Sequence, residues 1–75
     1  MSDYYFSVNI GGEHTLCLAP LTDRRLSMSG QKIEDPSGYF LYEQRGTGDA
    51  ASIEIIAKVF TEDAALRLRE MFQMT

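Results

Sequence analysis

The chain has one cysteine, Cys17, one histidine, His14, and two prolines in 75 residues. A lone cysteine excludes an intrachain disulfide, and with a single histidine beside it no metal cluster has enough ligands. Positive charge is also scarce: seven Lys and Arg stand against eleven Asp and Glu, for a formal charge of −4. An acidic chain repels phosphate backbones, which argues against general binding to nucleic acid or to an anionic membrane. No apolar run approaches the roughly 20 residues that span a bilayer. The start, MSDYYF, has neither a basic nor an apolar segment of a signal peptide, so the expected setting is soluble and cytoplasmic. The length leaves room for one core only, and a single small α+β domain is expected over residues 1–75. A domain this small without staples depends on its apolar core or on a partner chain.

What is present reads as strands with one helix at the end. Residues 51–74, ASIEIIAKVFTEDAALRLREMFQM, organise the rest. In their first half Ile53, Ile55, Ala57 and Val59 alternate with Glu54, Ile56, Lys58 and Phe60, the period of a strand. At Thr61 the period changes to about 3.6, and Thr61-Glu62-Asp63 offers a capping hydroxyl followed by two acids for a helix first turn. Ala64, Ala65, Leu68, Met71 and Phe72 form one helical stripe. That stripe is expected to dock on the Ile53/Ile55/Ala57/Val59 face through Leu68 and Phe72.

Upstream, Tyr4 to Ile10 alternates as a strand, and a second strand follows from Thr15 to about Ala19. A three-residue loop, Gly11 to Glu13, sets Val8 opposite Leu16 and Phe6 opposite Leu18. A two-residue loop would turn both leucines to the polar side, so the longer loop with a glycine bulge is the expected one. Residues 21–37 read two ways. Leu26, Met28 and Ile33 alternate like an edge strand over 24–28, while Thr22-Asp23 equally caps a helical turn ending before Gly30. Asp35-Pro36-Ser37-Gly38 suits a type I turn, and Gly38 to Arg45 is the next strand. Gly46-Thr47-Gly48-Asp49 returns the chain to the last strand. The register of that 38–60 hairpin stays open: one loop parity pairs Tyr39 and Leu41 with Ala57 and Ile55, the other pairs Phe40 and Tyr42 with them. The expected fold is α+β, a four- or five-stranded antiparallel meander, flat or curled towards a partly open barrel, with one C-terminal helix packed on it.

Chemistry is thin. His14 and Cys17 are three apart on a strand and point to opposite faces, so they form no nucleophilic dyad, and Cys17 reads as a small packing residue. Glu62-Asp63 serves the helix N-terminus, Glu34-Asp35 sits in a turn, and Glu43 with Glu54 lies across a hairpin with nothing nearby to raise a pKa. Gly46-Thr47-Gly48 precedes a strand and lacks the lysine of a phosphate loop. No catalytic residue, cofactor or metal is therefore expected. Arg24, Arg25 and Lys32 make the one local positive cluster and are candidate anion contacts. The tyrosines read as sheet packing, since no basic groove accompanies them.

What remains is apolar surface without a place in one chain. Ile56, Phe60, Tyr39 and Phe40 would form a contiguous patch on the sheet face away from the helix, unless the sheet curls to internalise them. The leading expectation is a non-enzymatic interaction or regulatory module working as a homo-oligomer, most simply a twofold homodimer through that patch. A second possibility is a small ligand-binding protein or enzyme subunit whose site forms between protomers, with the 21–37 loop supplying anion contacts.

Overall fold

In a computed structural model, which describes residues 5–47 and 50–75, four strands and two helices follow one another along the chain. They are β1 (Phe6–Gly11), β2 (His14–Pro20), α1 (Asp23–Ser29), β3 (Tyr39–Arg45), β4 (Ser52–Val59) and α2 (Glu62–Met71). The strands form an open antiparallel sheet in the order β1-β2-β3-β4, giving an α+β fold. The expected start of β1 at Tyr4 and the tip of the 46–49 turn lie outside the described residues.

The β1–β2 hairpin has the register that hydrophobic patterning demands: Phe6 opposite Leu18 and Val8 opposite Leu16. The irregularity falls between Asn9 and Gly11, and Gly11 pairs with His14. Gly11 and Gly12 take φ of 135° and 52°, values that L side chains resist, and the Asn9 side chain closes the turn on Gly11 N–H and Gly12 O.

Residues 23–29 are helical, so no fifth strand exists among the described residues. Thr22 Oγ1 accepts from Arg25 N–H at 3.1 Å, and Gly30 closes the helix with φ 66°. The capping chemistry prevails over the weak alternation of Leu26, Met28 and Ile33, because the caps supply hydrogen bonds at both ends of the segment.

That second helix changes the layering. Cys17, Ala19, Phe40, Tyr42 and Ile53 form one buried cluster, with Leu21, Met28, Ile33 and Ile55 packed against it. Leu16, Leu18, Leu41, Val59, Ala65 and Met74 form another, with Phe6, Val8, Tyr39, Ala64 and Leu68. The sheet is thus apolar on both faces, with residues of the α1 segment on one side and of α2 on the other.

Strand β4 serves both faces through a β-bulge. Tyr42 pairs with Ile55 but Leu41 with Ala57, so Ile56 is the extra residue. Neither single register holds: one pairing runs from Arg45↔Ser52 to Tyr42↔Ile55, and a register one residue shifted runs from Leu41↔Ala57 to Tyr39↔Val59. Ile53 and Ile55 therefore join the α1 side, Val59 joins the α2 side, and Ala57 is exposed. The expectation of one continuous Ile53/Ile55/Ala57/Val59 face is corrected accordingly.

Helix α2 begins as its sequence implies, with Thr61 Oγ1 accepting from Ala64 N–H at 3.0 Å and Glu62 and Asp63 in the first turn. Its end differs. Gln73 adopts φ 55°, Gln73 N–H bonds Glu70 O and Met74 N–H bonds Arg69 O, the Schellman pattern. The reversal carries Met74 into the core at 3% exposure, beside Leu68, and leaves Phe72 at 40%. Leu68 docks as expected; Met74, not Phe72, completes the contact.

Both sheet edges are occupied. Thr75 exchanges both backbone hydrogen bonds with Ser7 on β1, at 3.0 and 3.1 Å. On β4 the Gln31 side-chain amide imitates a strand: Oε1 accepts from Ile55 N–H at 2.6 Å and Nε2 donates to Ile55 O at 3.4 Å. Lys58 ties the 35–38 turn to the same strand, donating to the carbonyls of Asp35 and Ser37 at 3.1 and 2.7 Å. No helix of the described residues is long and apolar enough to cross a membrane.

Candidate functional site

The apolar residues expected to form one patch separate. Phe40 is 1% exposed because its register puts it under the α1 segment, with Lys58 Nζ 5.2 Å from the ring centroid. It leaves the proposed surface. Tyr39 faces the other way and is half-buried in the α2 cluster. Ile56 stands out at the bulge, and Phe60, after the end of β4, is 82% exposed. No bare outer sheet face is left to carry an interface, since α1 packs on that side.

Phe60 does have neighbours. Pro20, Gly38, Tyr39, Val59, Phe60, Thr61 and Glu62 line a groove of about 350 Å³ at the corner where β4 turns into α2. The corner forms because Thr61 caps the helix immediately after the strand, so the residue between them has no element to pack into. Gly38 entered the sequence reading only as a turn residue, and Pro20 lies just past the expected end of the second strand at about Ala19.

The charged candidates also divide. Arg24 and Arg25 line a groove of about 330 Å³ with Thr22, Met28, Gln44 and Ile53. Lys32 lies outside it, on the exposed segment after α1. The Arg25 guanidinium carbon sits 5.5 Å from the Tyr5 ring centroid, a cation–π contact. Gln44 and Ile53 belong to this site because they are opposite each other on β3 and β4 and turn to the α1 side. Only the pairing reveals that, and the pairing was the unresolved part of the sequence.

Beneath α1 lies a polar seam. Tyr5 Oη and Cys17 Sγ are 3.5 Å apart, and Cys17 is fully buried and free. Tyr42 is fully buried, and its hydroxyl has no hydrogen-bond partner among the described residues. Burial pushes the Tyr42 phenol well above its ordinary value, with smaller contributions from Cys17 and Tyr5, while Arg25 opposes. Tyr5 is raised too, first by burial and then by its bond to Cys17.

At the far end of the α2 face, His14 Nδ1 lies 3.1 Å from Glu43 Oε2, and Arg45 Nη2 lies 3.2 Å from Glu43 Oε1. Glu54 is directly opposite Glu43. Arg45 compensates Glu43 and the His14 imidazole meets its other oxygen, which is why a second carboxylate is tolerated opposite it there. His14 and Cys17 lie on opposite faces, as their spacing implies, and no group of three metal-ligating side chains occurs among the described residues. In the 35–38 turn, Asp35 Oδ1 accepts from Ser37 N–H and Oγ–H at 3.1 and 2.7 Å. Those bonds, and then Lys58, hold the Asp35 carboxyl below its ordinary pKa. Compared with known proteins, the chain matches no family model, no curated protein and no solved structure.

Proposed function

We propose that the chain is a protein-interaction or regulatory module that works as a homo-oligomer, joined as a twofold dimer around Phe60. The observation that carries this reading is Phe60 itself: a phenyl ring 82% exposed, beside a groove lined by Pro20, Tyr39 and Val59. A ring and an apolar groove in one patch are self-complementary, because a twofold axis sets each ring over the groove of the other copy. Burying the ring recovers on the order of 2 kcal/mol per protomer. A cytoplasmic setting accords with the free, buried thiol of Cys17.

Sedimentation at micromolar concentration tests it. The wild type is expected to sediment as a dimer and Phe60→Asp as a folded monomer, while Met71→Glu, on the exposed end of α2, leaves the dimer intact. A monomeric wild type, or dissociation by Met71→Glu and not by Phe60→Asp, overturns it.

A further inference from the structure

We propose that the outer edge of β4 over residues 52–55 docks an extended peptide carrying a basic residue, added to the sheet as a further strand. The fold already shows what this edge accepts. Gln31 presents its side-chain amide to Ile55 with the donor and acceptor of a peptide unit: Oε1 accepts from the N–H at 2.6 Å, and Nε2 donates to the carbonyl at 3.4 Å. Ile55 therefore turns its N–H and C=O away from β3. By the two-residue repeat of an antiparallel strand, Ile53 does the same. A groove of about 430 Å³ runs there, lined by Ser29 and Gln31, by residues 52–55 of β4, and by Glu43 and Arg45. A side-chain amide holds only one residue of the edge. A peptide backbone offers the same groups every two residues and reaches Ile53 as well as Ile55, so it displaces Gln31 as a placeholder.

Charge selects the partner. In the row of side chains crossing the sheet on the α2 side, Leu16 is followed by Glu43 and then Glu54. Glu43 has His14 and Arg45 at its two oxygens, whereas the exposed Glu54 has no ion pair among the described residues. The next place in that row belongs to the added strand. Because Ile53 and Ile55 carry the hydrogen bonds, the residue opposite Glu54 sits in a non-hydrogen-bonded pair, where side chains come closer. A Lys or Arg there meets Glu54, and an acid there would be a third carboxylate in line. Arg45 lines the same groove but is held to Glu43, on the β3 side of Glu54. The net charge of −4 also draws in a basic segment rather than an acidic one. Twofold pairing with β4 of a second copy, centred here, would set Glu54 against itself. The site is at the opposite end of β4 from Phe60 and does not depend on dimerisation.

Amide NMR on the isotope-labelled protein, titrated with the peptide acetyl-STVKVTS-amide and with a form bearing Glu in place of its Lys, tests the proposal. The lysine peptide is expected to saturate, with shifts centred on residues 52–55 and the Gln31 side-chain amide, and to slow hydrogen exchange at Ile53 and Ile55. It is expected to bind at least about threefold more tightly than the glutamate peptide, and Glu54→Gln to narrow that difference. Methylating the peptide's backbone nitrogens at alternate positions separates the two edges of the added strand. One set is expected to abolish binding and the other to leave it intact. Gln31→Ala is expected to bind the lysine peptide at least as tightly as the wild type, because the placeholder is gone. The assignment is overturned by an absence of saturable shifts at β4, by equal effects of the two methylation sets, or by a lysine preference that is missing or survives Glu54→Gln. Weaker binding by a folded Gln31→Ala overturns it as well. So do shifts at Ile53 and Ile55 that follow protein concentration alone, which would make the occupant a second copy.

Discussion

Two residues hold conformations or environments that work against them. Gln73 occupies left-handed backbone at φ 55°, where a β-carbon is unfavourable. Gln73→Gly is expected to stabilise the fold by about 0.5–1 kcal/mol in urea denaturation, the relief of strain exceeding the entropy gained by the unfolded chain. Tyr42 buries a hydroxyl that has no partner among the described residues. Tyr42→Phe is expected to be neutral or stabilising by up to about 1–2 kcal/mol at neutral pH, since it removes an unsatisfied group and keeps the ring. The same residue sets an alkaline limit. Its folded pKa is raised above the ordinary 10.0, so its contribution is fully present below pH 10.0. Above that pH the unfolded chain loses the proton first, and stability falls as pH rises by up to about 1.4 kcal/mol per unit per such group. The slope is expected to be shallower in Tyr42→Phe, with Tyr5 supplying what remains.

Among the elements, β4 and the end of α2 carry the most consequence. Deleting Ile56 would restore a regular strand and turn either Ile53 and Ile55 or Val59 away from its core. That deletion is expected to abolish the cooperative unfolding transition. Replacing Gln31 removes the amide that occupies β4's edge at Ile55. Gln31→Ala is expected to cost about 1 kcal/mol and to speed hydrogen exchange at the Ile55 amide, with little change at β2. At the end of α2, Met74→Ala is expected to cost about 2–4 kcal/mol, whereas Phe72→Ala costs less than about 2, in line with their burial. The reverse order would place Phe72, not Met74, in the core.

For the whole molecule, two thin cores on one open sheet must hold without a disulfide, which makes association an effective source of added stability. A dimer centred on Phe60 buries apolar surface, so its dissociation constant is expected to change little between about 0.05 and 0.5 M salt. A steep weakening with salt would move the contact to charged groups such as Arg45 and Glu43.

Local chemistry was enough for three features that depend on a few neighbouring residues. The β1–β2 register follows from alternation, because a slip of one residue would turn Leu16 and Leu18 to the polar side. The start of α2 follows from Thr61-Glu62-Asp63, and the isolation of Cys17 from His14 follows from strand geometry. Capping at Thr22 and Gly30 left α1 as one of two readings, since seven residues make too little helix to outweigh the alternation by themselves. What tertiary structure alone decided was the layering. Ile55 and Ile56 are consecutive apolar residues, compatible with either pairing, and only packing from two sides makes an added residue in β4 favourable. With α1 over the face that carries Phe40 and Tyr42, Phe40 is buried, and Gln44 and Ile53 line the groove beside Arg24 and Arg25. The bulge turns Val59 to the α2 side, and Phe60 is left exposed beside a groove. Met74 likewise reaches the core only because the backbone reverses at Gln73, a turn held by long-range burial against the local preference of that residue.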